Sequence, residues 1–195
     1  VEAMALGDRV GVMRDGRIVQ CGPPIDLYRH PLDVFVAGFI GSPPMNIVAA
    51  EVGHRHDGWW LHVGADDVRL GDGDRWGFLA AWEGRDVAVG IRPEAWSLTA
   101  DDDVRGVRVE VTHVEHLGAE HLVSGLLGAR MVRPVEDGGA VVDELPMAPV
   151  TALLGEGVDT DLWRPIRLLI DPDALHFFDP VTGLSLAVAE PVVPV

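Results

Sequence analysis

The sequence predicts a mainly β fold, a small barrel or sandwich, that follows a short segment of mixed α and β structure. Three observations lead to this prediction. After residue 46, apolar and polar residues alternate in short runs, which is typical of half-buried strands. The chain of 195 residues contains 23 Gly and 14 Pro, so turns interrupt it often. Hydrophobic residues make up 48% of the chain, which is enough to fill a core.

Residues 9–20 predict a β-hairpin near the beginning of the sequence. The runs Arg9–Met13 and Arg17–Gln20 are β-prone, and the dipeptide Asp15-Gly16 lies between them. Because both residues tolerate a positive φ, Asp-Gly predicts a tight two-residue turn. Gly22 and the two prolines after it end the hairpin. Before it, Val1–Asp8 has the spacing expected of the tail of a helix, and we expect the chain to begin inside a larger unit.

Two short helices follow the hairpin. The first is predicted over Ile25–His30 and stops before Pro31. The second is predicted with Pro31 near its first turn, running over Leu32–Ile40, because Phe35 and Phe39 form an apolar pair at helical spacing.

A turn-rich stretch then marks a change of composition. Gly41, Ser42 and Pro43 are followed by a second proline, and we interpret them as a linker and hinge. Residues 1–46 carry a net charge of −1, whereas residues 47–195 carry −15. The sequence therefore predicts two domains, residues 1–41 and residues 42–195.

The second domain is predicted to consist of short strands with little helix, a pattern that favours a small barrel or sandwich. Gly, Asp and Pro punctuate the strand candidates at short intervals, and the tail Pro191–Val195 is expected to be extended. The candidate strands are Ile47–Val52, Trp59–Val63, Val87–Ile91, Val107–Val114, His121–Leu127 and Ile166–Ile170.

Charge and composition exclude several functions. All 15 basic residues are arginines, and 31 acidic residues give a net charge of −16. Without a lysine the chain can form neither a P-loop phosphate site nor a Schiff base. The negative charge disfavours binding to nucleic acid. The single Cys21 excludes internal disulfides and fits an intracellular compartment, and no apolar run approaches the length of a membrane-spanning helix.

Two groups of side chains could form a binding site, and each can also be interpreted as structural. His113, His116 and His121 suggest a metal, but His113 and His116 lie on opposite faces of a strand, and only His121 can return beside one of them. We favour surface positions of a hairpin, so no metal, catalytic or cofactor-binding residues are predicted. Six tryptophans suggest a sugar pocket or, as we favour, core and interface positions: Trp59, Trp60, Trp76, Trp82, Trp96 and Trp163.

A long ordered pattern runs through the first 46 residues. Its most specific part lies in the hairpin and the first helix and consists of Asp8, Arg9, Val12, Met13, Gly16, Ile18, Gln20, Gly22, Pro24, Leu27 and Tyr28. The pattern continues through Phe35–Pro43 and ends at Met45-Asn46. In these residues the sequence resembles the end of the nucleotide-binding domain of MalK-like ABC importer ATPase subunits.

The remainder resembles the C-terminal regulatory region of the same subunits, built from OB-fold-like (TOBE) barrels. Three segments carry the resemblance. The first contains Arg92, Pro93 and Glu94, the second contains Glu115 and Gly118, and the third opens with Asp171 and Pro172. Arg92 and Glu94 are two residues apart on an expected strand, so both are predicted to lie on one face and to brace the barrel.

The resemblance implies a division of roles. The ATPase motifs of the family, which bind ATP and Mg²⁺, would lie upstream of Val1, so the 195 residues themselves are expected to hold no cofactor and to catalyse nothing. The implied partners are a second copy of the subunit, the membrane permease and regulatory proteins, at the inner face of the cell membrane. The implied solute is a carbohydrate.

Other functions stay open at this point. Polyamine, iron and glycerol phosphate are alternative solutes for such an importer. A different class is a free-standing domain that binds a sugar or an oxyanion, which would require several arginines to converge. An oligonucleotide-binding OB fold is disfavoured by the charge.

Overall fold

The computed structural model describes residues 7–136, 138–155 and 164–187, and antiparallel strands dominate them. The prediction of a mainly β fold is confirmed. The expected helix tail lies largely in residues 1–6, outside the described residues, as do the expected extended tail 191–195 and Trp163.

The predicted hairpin is present. Strand β1 (Val10–Arg14) pairs antiparallel with β2 (Arg17–Gly22). Its turn places Asp15 at φ 50° and Gly16 at φ 76°, the left-handed conformations that an Asp-Gly turn requires.

Two helices follow: α1 (Pro24–Arg29) and α2 (Val34–Phe39). The prediction that the second helix starts near Pro31 is wrong. Asp33 is its N-cap, and a side-chain oxygen of Asp33 accepts a hydrogen bond from the Val36 amide at 2.8 Å. This cap fixes the start of α2 at Val34, because the capping residue itself is not helical.

Within the described residues the chain then forms twelve strands, which are connected by turns and by three 3₁₀ segments at Asp74–Trp82, Pro93–Ala95 and Pro172–Ala174. The strands are β3 (Asn46–Arg55), β4 (Gly58–Val63), β5 (Asp66–Gly71), β6 (Asp86–Ile91), β7 (Trp96–Thr99), β8 (Val107–His116), β9 (His121–Leu127), β10 (Val132–Pro134), β11 (Ala140–Val142), β12 (Ala148–Leu154), β13 (Pro165–Ile170) and β14 (Leu175–Phe178).

Ten of these strands form two five-stranded sheets. The first has the order β14-β6-β3-β4-β5 and the second the order β12-β9-β8-β13-β7, while β10 and β11 form a separate hairpin. All neighbouring strands are antiparallel. The two sheets enclose one apolar core, to which Val48, Leu61 and Val89 contribute from the first sheet, and Val109 and Leu168 from the second.

All six predicted strands are present, but β5, β7, β10, β11, β12 and β14 escaped prediction. The sequences of β5, β7, β12 and β14 explain why, and β10 and β11 have only three residues each. Strand β12 contains Pro149, which is tolerated because β12 is an edge strand. Strand β5 begins with two aspartates, and β7 and β14 have four residues each.

The tryptophans are mostly part of the core. Trp76 and Trp96 are buried, and Trp59 and Trp82 pack against the core from its margin. Trp60 is partly exposed beside Arg55. The described tryptophans therefore follow the interpretation as core residues, with Trp60 at its rim.

No helix in the described part of the chain is long and apolar enough to cross a membrane.

One buried amide links the two sheets. Asn46, at the start of β3, donates from Nδ2 to the carbonyl oxygens of Ile91 and Thr151, both at 2.9 Å. Its Oδ1 accepts from the Thr151 amide at 2.7 Å. Because Ile91 ends β6 in the first sheet and Thr151 belongs to β12 in the second, Asn46 fixes the two sheets against each other.

We therefore expect Asn46→Ala to lower the free energy of unfolding by about 3 kcal/mol, because it leaves buried backbone groups without partners. Urea unfolding followed by tryptophan fluorescence measures the loss. Ser97→Ala, at an exposed position of β7, is the control and should change it by less than about 0.5 kcal/mol. Equal effects of both variants would contradict the role of Asn46.

Candidate functional site

A buried arginine joins the helices to the first sheet. Arg92 is 3% exposed, and its guanidinium donates to the carbonyl oxygen of Ile40 at 2.5 Å and to that of Tyr28 at 2.6 Å. Its Cζ also lies 3.7 Å from the centre of the Tyr28 ring. Tyr28 lies in the last turn of α1 and Ile40 is the C-cap of α2. One cation therefore binds the C-terminal ends of both helices, where helix carbonyls lack partners and the dipole favours positive charge.

Local backbone geometry brings Arg92 to this position. Strand β6 ends at Ile91, and Pro93 opens a 3₁₀ turn, so the chain leaves the sheet at Arg92. On the opposite side Gly41 has φ 124°, and a Cβ there would lie 2.9 Å from Nη1 of Arg92. Position 41 therefore needs glycine both for its conformation and for the close approach of the guanidinium.

The predicted arrangement of Arg92 and Glu94 is wrong in one respect. Glu94 lies in the 3₁₀ turn, not on a strand, so the two residues do not share a strand face. Instead the Tyr28 hydroxyl donates to a carboxylate oxygen of Glu94. Arg92 and Glu94 thus both contact α1, and the expected brace within the barrel is replaced by a contact between the barrel and the helices.

The surroundings shift two of these pKa values. Burial lowers the pKa of Arg92, since a charged guanidinium is costly away from water. Burial, and then the hydrogen bond to Glu94, raise the pKa of Tyr28 to about 12. Both groups keep their ordinary charge near neutral pH.

The closing segment of the chain completes the site. The Asp171 amide donates to the carbonyl oxygen of Ala95 at 3.0 Å, which joins the Pro172–Ala174 turn to the Pro93–Ala95 turn. His176 lies on β14 directly opposite Gly90 of β6, and its ring stacks on Phe178. Burial, and then the positive charge of Arg92, lower the pKa of His176 to about 4.

These segments enclose a cavity of about 620 Å³ between α1 and the barrel. Its wall combines acids, bases and apolar carbon, which suits hydrogen bonding to a polar molecule. Side chains that contribute to it include Tyr28, His30, Arg92, Glu94, Asp171 and His176. We call this region, with the contacts of Arg92, the junction.

Apolar contacts support the junction from the α2 side. Val34 and Ala37 of α2 pack with Met45, Ala88 and Phe178 in a second buried cluster. Two backbone hydrogen bonds join the same region to the closing segment: Val34 to Gly183 and Ser185 to Leu32, each at 2.9 Å. The helices are thus packed against the barrel, and the hinge role of Gly41, Ser42 and Pro43 stays a prediction, as does the two-domain division.

The remaining sequence-predicted residues lie away from the junction. Gly16 and Gly118 have positive φ in their hairpin turns, and Gly22 approaches Leu27. Glu115 is exposed on β8, 3.6 Å from His113. The other two are Asp8 and Arg9, at the start of the described chain, where a guanidinium nitrogen of Arg9 lies 3.9 Å from Cys21.

The histidines are arranged as the strand geometry predicts. His121 pairs with His116 across the β8–β9 hairpin, with ring centres 4.8 Å apart, while His113 lies opposite Ser124. Within the described ranges, no group of three or more His, Cys, Asp or Glu side chains is arranged to hold a metal.

Sequence reasoning missed three members of the junction as site residues: Tyr28, Ile40 and His176. Tyr28 stands in the resemblance pattern but has no chemistry that marks it out. Ile40 contributes only its carbonyl oxygen, which no side-chain pattern reveals. His176 gains its character from burial beside Arg92, a contact between segments more than eighty residues apart.

The low pKa of His176 predicts a pH-dependent stability. Its folded pKa of about 4 lies below the unfolded value of 6.5, so the unfolded state takes up a proton first as the pH falls. The contribution of His176 to the free energy of unfolding is complete above pH 6.5 and declines between pH 6.5 and about pH 4. Below about pH 4 it changes no further. We expect His176→Asn to lose less stability between pH 7 and pH 5 than the parent chain, measured by urea unfolding.

The matched control is His113→Asn, since His113 is exposed on β8. It should keep the pH dependence of the parent chain. If His176→Asn and the parent chain lose the same stability between these pH values, His176 is not the group responsible.

Comparison with known proteins places these segments in a family. Residues 41–96 match the MalK OB fold domain, and residues 89–141 match the TOBE domain. Arg92, Pro93 and Glu94 lie where the two matches overlap.

Curated relatives match over almost the whole chain. The sn-glycerol-3-phosphate import ATP-binding protein UgpC of Ruegeria sp. (strain TM1040) is 37% identical over 187 residues, which are 96% of this chain and 44% of that protein. The sulfoquinovosyl glycerol transport ATP-binding protein SmoE of Agrobacterium fabrum (strain C58 / ATCC 33970) is 33% identical over 193 residues, 95% of this chain and 46% of that protein. The chain thus spans less than half the length of these relatives.

Among solved structures, the cytoplasmic molybdate-binding protein ModG has a TM-score of 0.46 and 11% identity, covering 69% of this chain and 96% of ModG. That similarity is too weak to bear on fold or ligand. The family matches and the curated relatives agree with the resemblance drawn from the sequence motifs. The chain carries the C-terminal OB-fold and TOBE regulatory domains of the MalK-like family of ABC importer ATP-binding subunits.

Proposed function

We propose that this chain is the regulatory part of a subunit that couples ATP hydrolysis to the import of a solute, at the inner face of the cell membrane. The printed names of the relatives concern glycerol phosphate and a sulfonated sugar glycerol, which supports a solute of the carbohydrate or glycerol phosphate class. ATP and Mg²⁺ would bind to motifs upstream of Val1, since the chain contains no lysine for a P-loop.

One observation carries the mechanical role: the buried guanidinium of Arg92 holds the carbonyls of residues 28 and 40. Residues 1–41 resemble the end of an ATPase domain, and Arg92 belongs to the OB-fold domain. A contact that is buried and bidentate in this way transmits displacement instead of absorbing it, because the charge cannot leave its partners without loss of solvation. The barrel would therefore move with the end of the ATPase domain.

The partners follow from this role. Two copies of the subunit would associate, and linked barrels would keep the two ATPase halves at a high effective concentration while they open and close. Permease subunits would contact the upstream ATPase domain, and regulatory proteins would bind the barrels. The exposed apolar side chains Met13, Ile18 and Ile25 on the hairpin and α1 suit contact with that domain.

The reading frame upstream of the Val1 codon tests the proposal first. It should continue without a stop through a P-loop to a histidine shortly before Val1. The longer polypeptide should hydrolyse ATP, and replacement of its P-loop lysine by alanine should lower turnover at least a hundredfold, because that ammonium contacts the β and γ phosphates. A phosphate-release assay measures the rate.

The 195-residue chain is the matched control in that assay and should release no phosphate above the buffer rate. A stop codon directly upstream followed by a start at this position would contradict the proposal. So would a longer polypeptide without ATPase activity.

A further inference from the structure

A groove of about 740 Å³ runs between the edge strand β5 and the end of β13, away from Arg92. Four of the 15 arginines of the chain line it, together with two aspartates. Among the lining residues arginines thus outnumber aspartates by two, although acidic residues outnumber basic ones by 16 in the chain as a whole. The arginines are Arg55, Arg69, Arg75 and Arg105.

Each of these arginines is exposed and already has a carboxylate partner. Their side chains are between 42% and 76% exposed. Exposed ion pairs of this kind contribute little to stability, so an incoming anion can replace an aspartate at small cost. The pairs are Arg55 with Asp67, Arg69 with Asp57, Arg75 with Asp173 and Arg105 with Asp103.

Aromatic rings hold two of the guanidinium groups. The Cζ of Arg55 lies 4.5 Å from the centre of the Trp60 ring, and that of Arg75 lies 4.3 Å from the Trp76 ring. These cation–π contacts restrict the guanidinium planes without using their N–H groups. A guanidinium group held in one orientation favours the binding of phosphate, sulfonate or carboxylate groups.

The floor of the groove is apolar. Leu70 and Ile170 are buried below it, and Val104, 79% exposed, stands at its rim. An inorganic oxyanion would leave this surface uncovered, whereas a volume of this size is typical of sites for small organic ligands.

We propose that this groove binds a small organic molecule that carries two or more anionic groups on an apolar or planar body. The body would cover the floor, and its phosphate, sulfonate or carboxylate groups would bind the arginines. At least two anionic groups are needed because each guanidinium is already paired with one aspartate, and a single anion would replace only one of these four pairs. This binding is independent of the proposed import function.

Calorimetric titration of the 195-residue chain tests the proposal with two dianionic probes, ADP and naphthalene-1,5-disulfonate. Adenosine lacks the anionic groups, and pyrophosphate lacks the body. We expect at least one dianionic probe to bind at least tenfold more tightly than both adenosine and pyrophosphate, with an affinity that falls as sodium chloride rises from about 50 to 300 mM.

Single substitutions locate the site. Arg55→Gln and Arg75→Gln should each lower the affinity for the probe that binds about tenfold, because each removes a charge-assisted contact at an exposed position. Arg133→Gln is the matched control, because Arg133 is 54% exposed and paired with Asp143 outside the groove. Circular dichroism should show the same fold for all three variants.

Three results would overturn the proposal: no binding of either dianionic probe at about 5 mM, equal weakening by Arg133→Gln, or tighter binding of decathymidylate than of both probes. The last result would assign the groove to single-stranded nucleic acid instead.

Discussion

The arrangement of the two helices against the barrel depends on the buried guanidinium of Arg92. A charge taken out of water is costly, and it persists only where enough partners surround it. Here two carbonyl oxygens and the face of Tyr28 replace part of the lost hydration, and Nε of Arg92 has no hydrogen-bond partner among the described residues. The partners themselves are helix-end carbonyls, which need donors of their own. The requirement is therefore mutual: the cation needs the helix ends, and the helix ends need the cation.

Several other features follow from that interaction. Glycine is required at position 41 because the guanidinium passes so close to it. His176 stays neutral near pH 7 because it is buried beside the same charge. The cavity at the junction exists because α1 is held at a fixed distance from the turns that follow β6 and β13. Function in an importer subunit would use this rigidity, since the barrel and the helical segment respond together.

A chain without lysine uses arginine in ways that lysine does not allow. Five arginines stack on aromatic rings in the described part of the chain, among them Arg92 at the junction and Arg55 and Arg75 in the groove. The planar guanidinium can stack and still donate hydrogen bonds at its edge. The 195 residues therefore contain no P-loop lysine, and arginine is both the buried connector at the junction and the basic residue that lines the groove.

Features that depend on local sequence could be predicted, and features that depend on distant contacts could not. The Asp15-Gly16 turn fixes its hairpin by itself, and the six strands with clear alternation are all present. Helix α2 starts later than the sequence predicts because Asp33, and not Pro31, marks its N-terminus, and only the cap geometry decides between them. The partners of Arg92 are 52 and 64 residues earlier in the chain, so no spacing rule connects them. Convergence of four arginines in a groove likewise requires the fold.

Amide hydrogen exchange of the 195-residue chain tests the central claim most directly. In Arg92→Met, which keeps the bulk but removes the charge and its donors, the amides of His30 and Ile40 at the C-terminal ends of the helices should exchange at least tenfold faster than in the parent chain. Amides of β8 and β9 should keep their rates, because their ladder lies in the other sheet. Unchanged exchange at the helix ends, or equal acceleration throughout the chain, would contradict the claim that Arg92 joins the helices to the barrel.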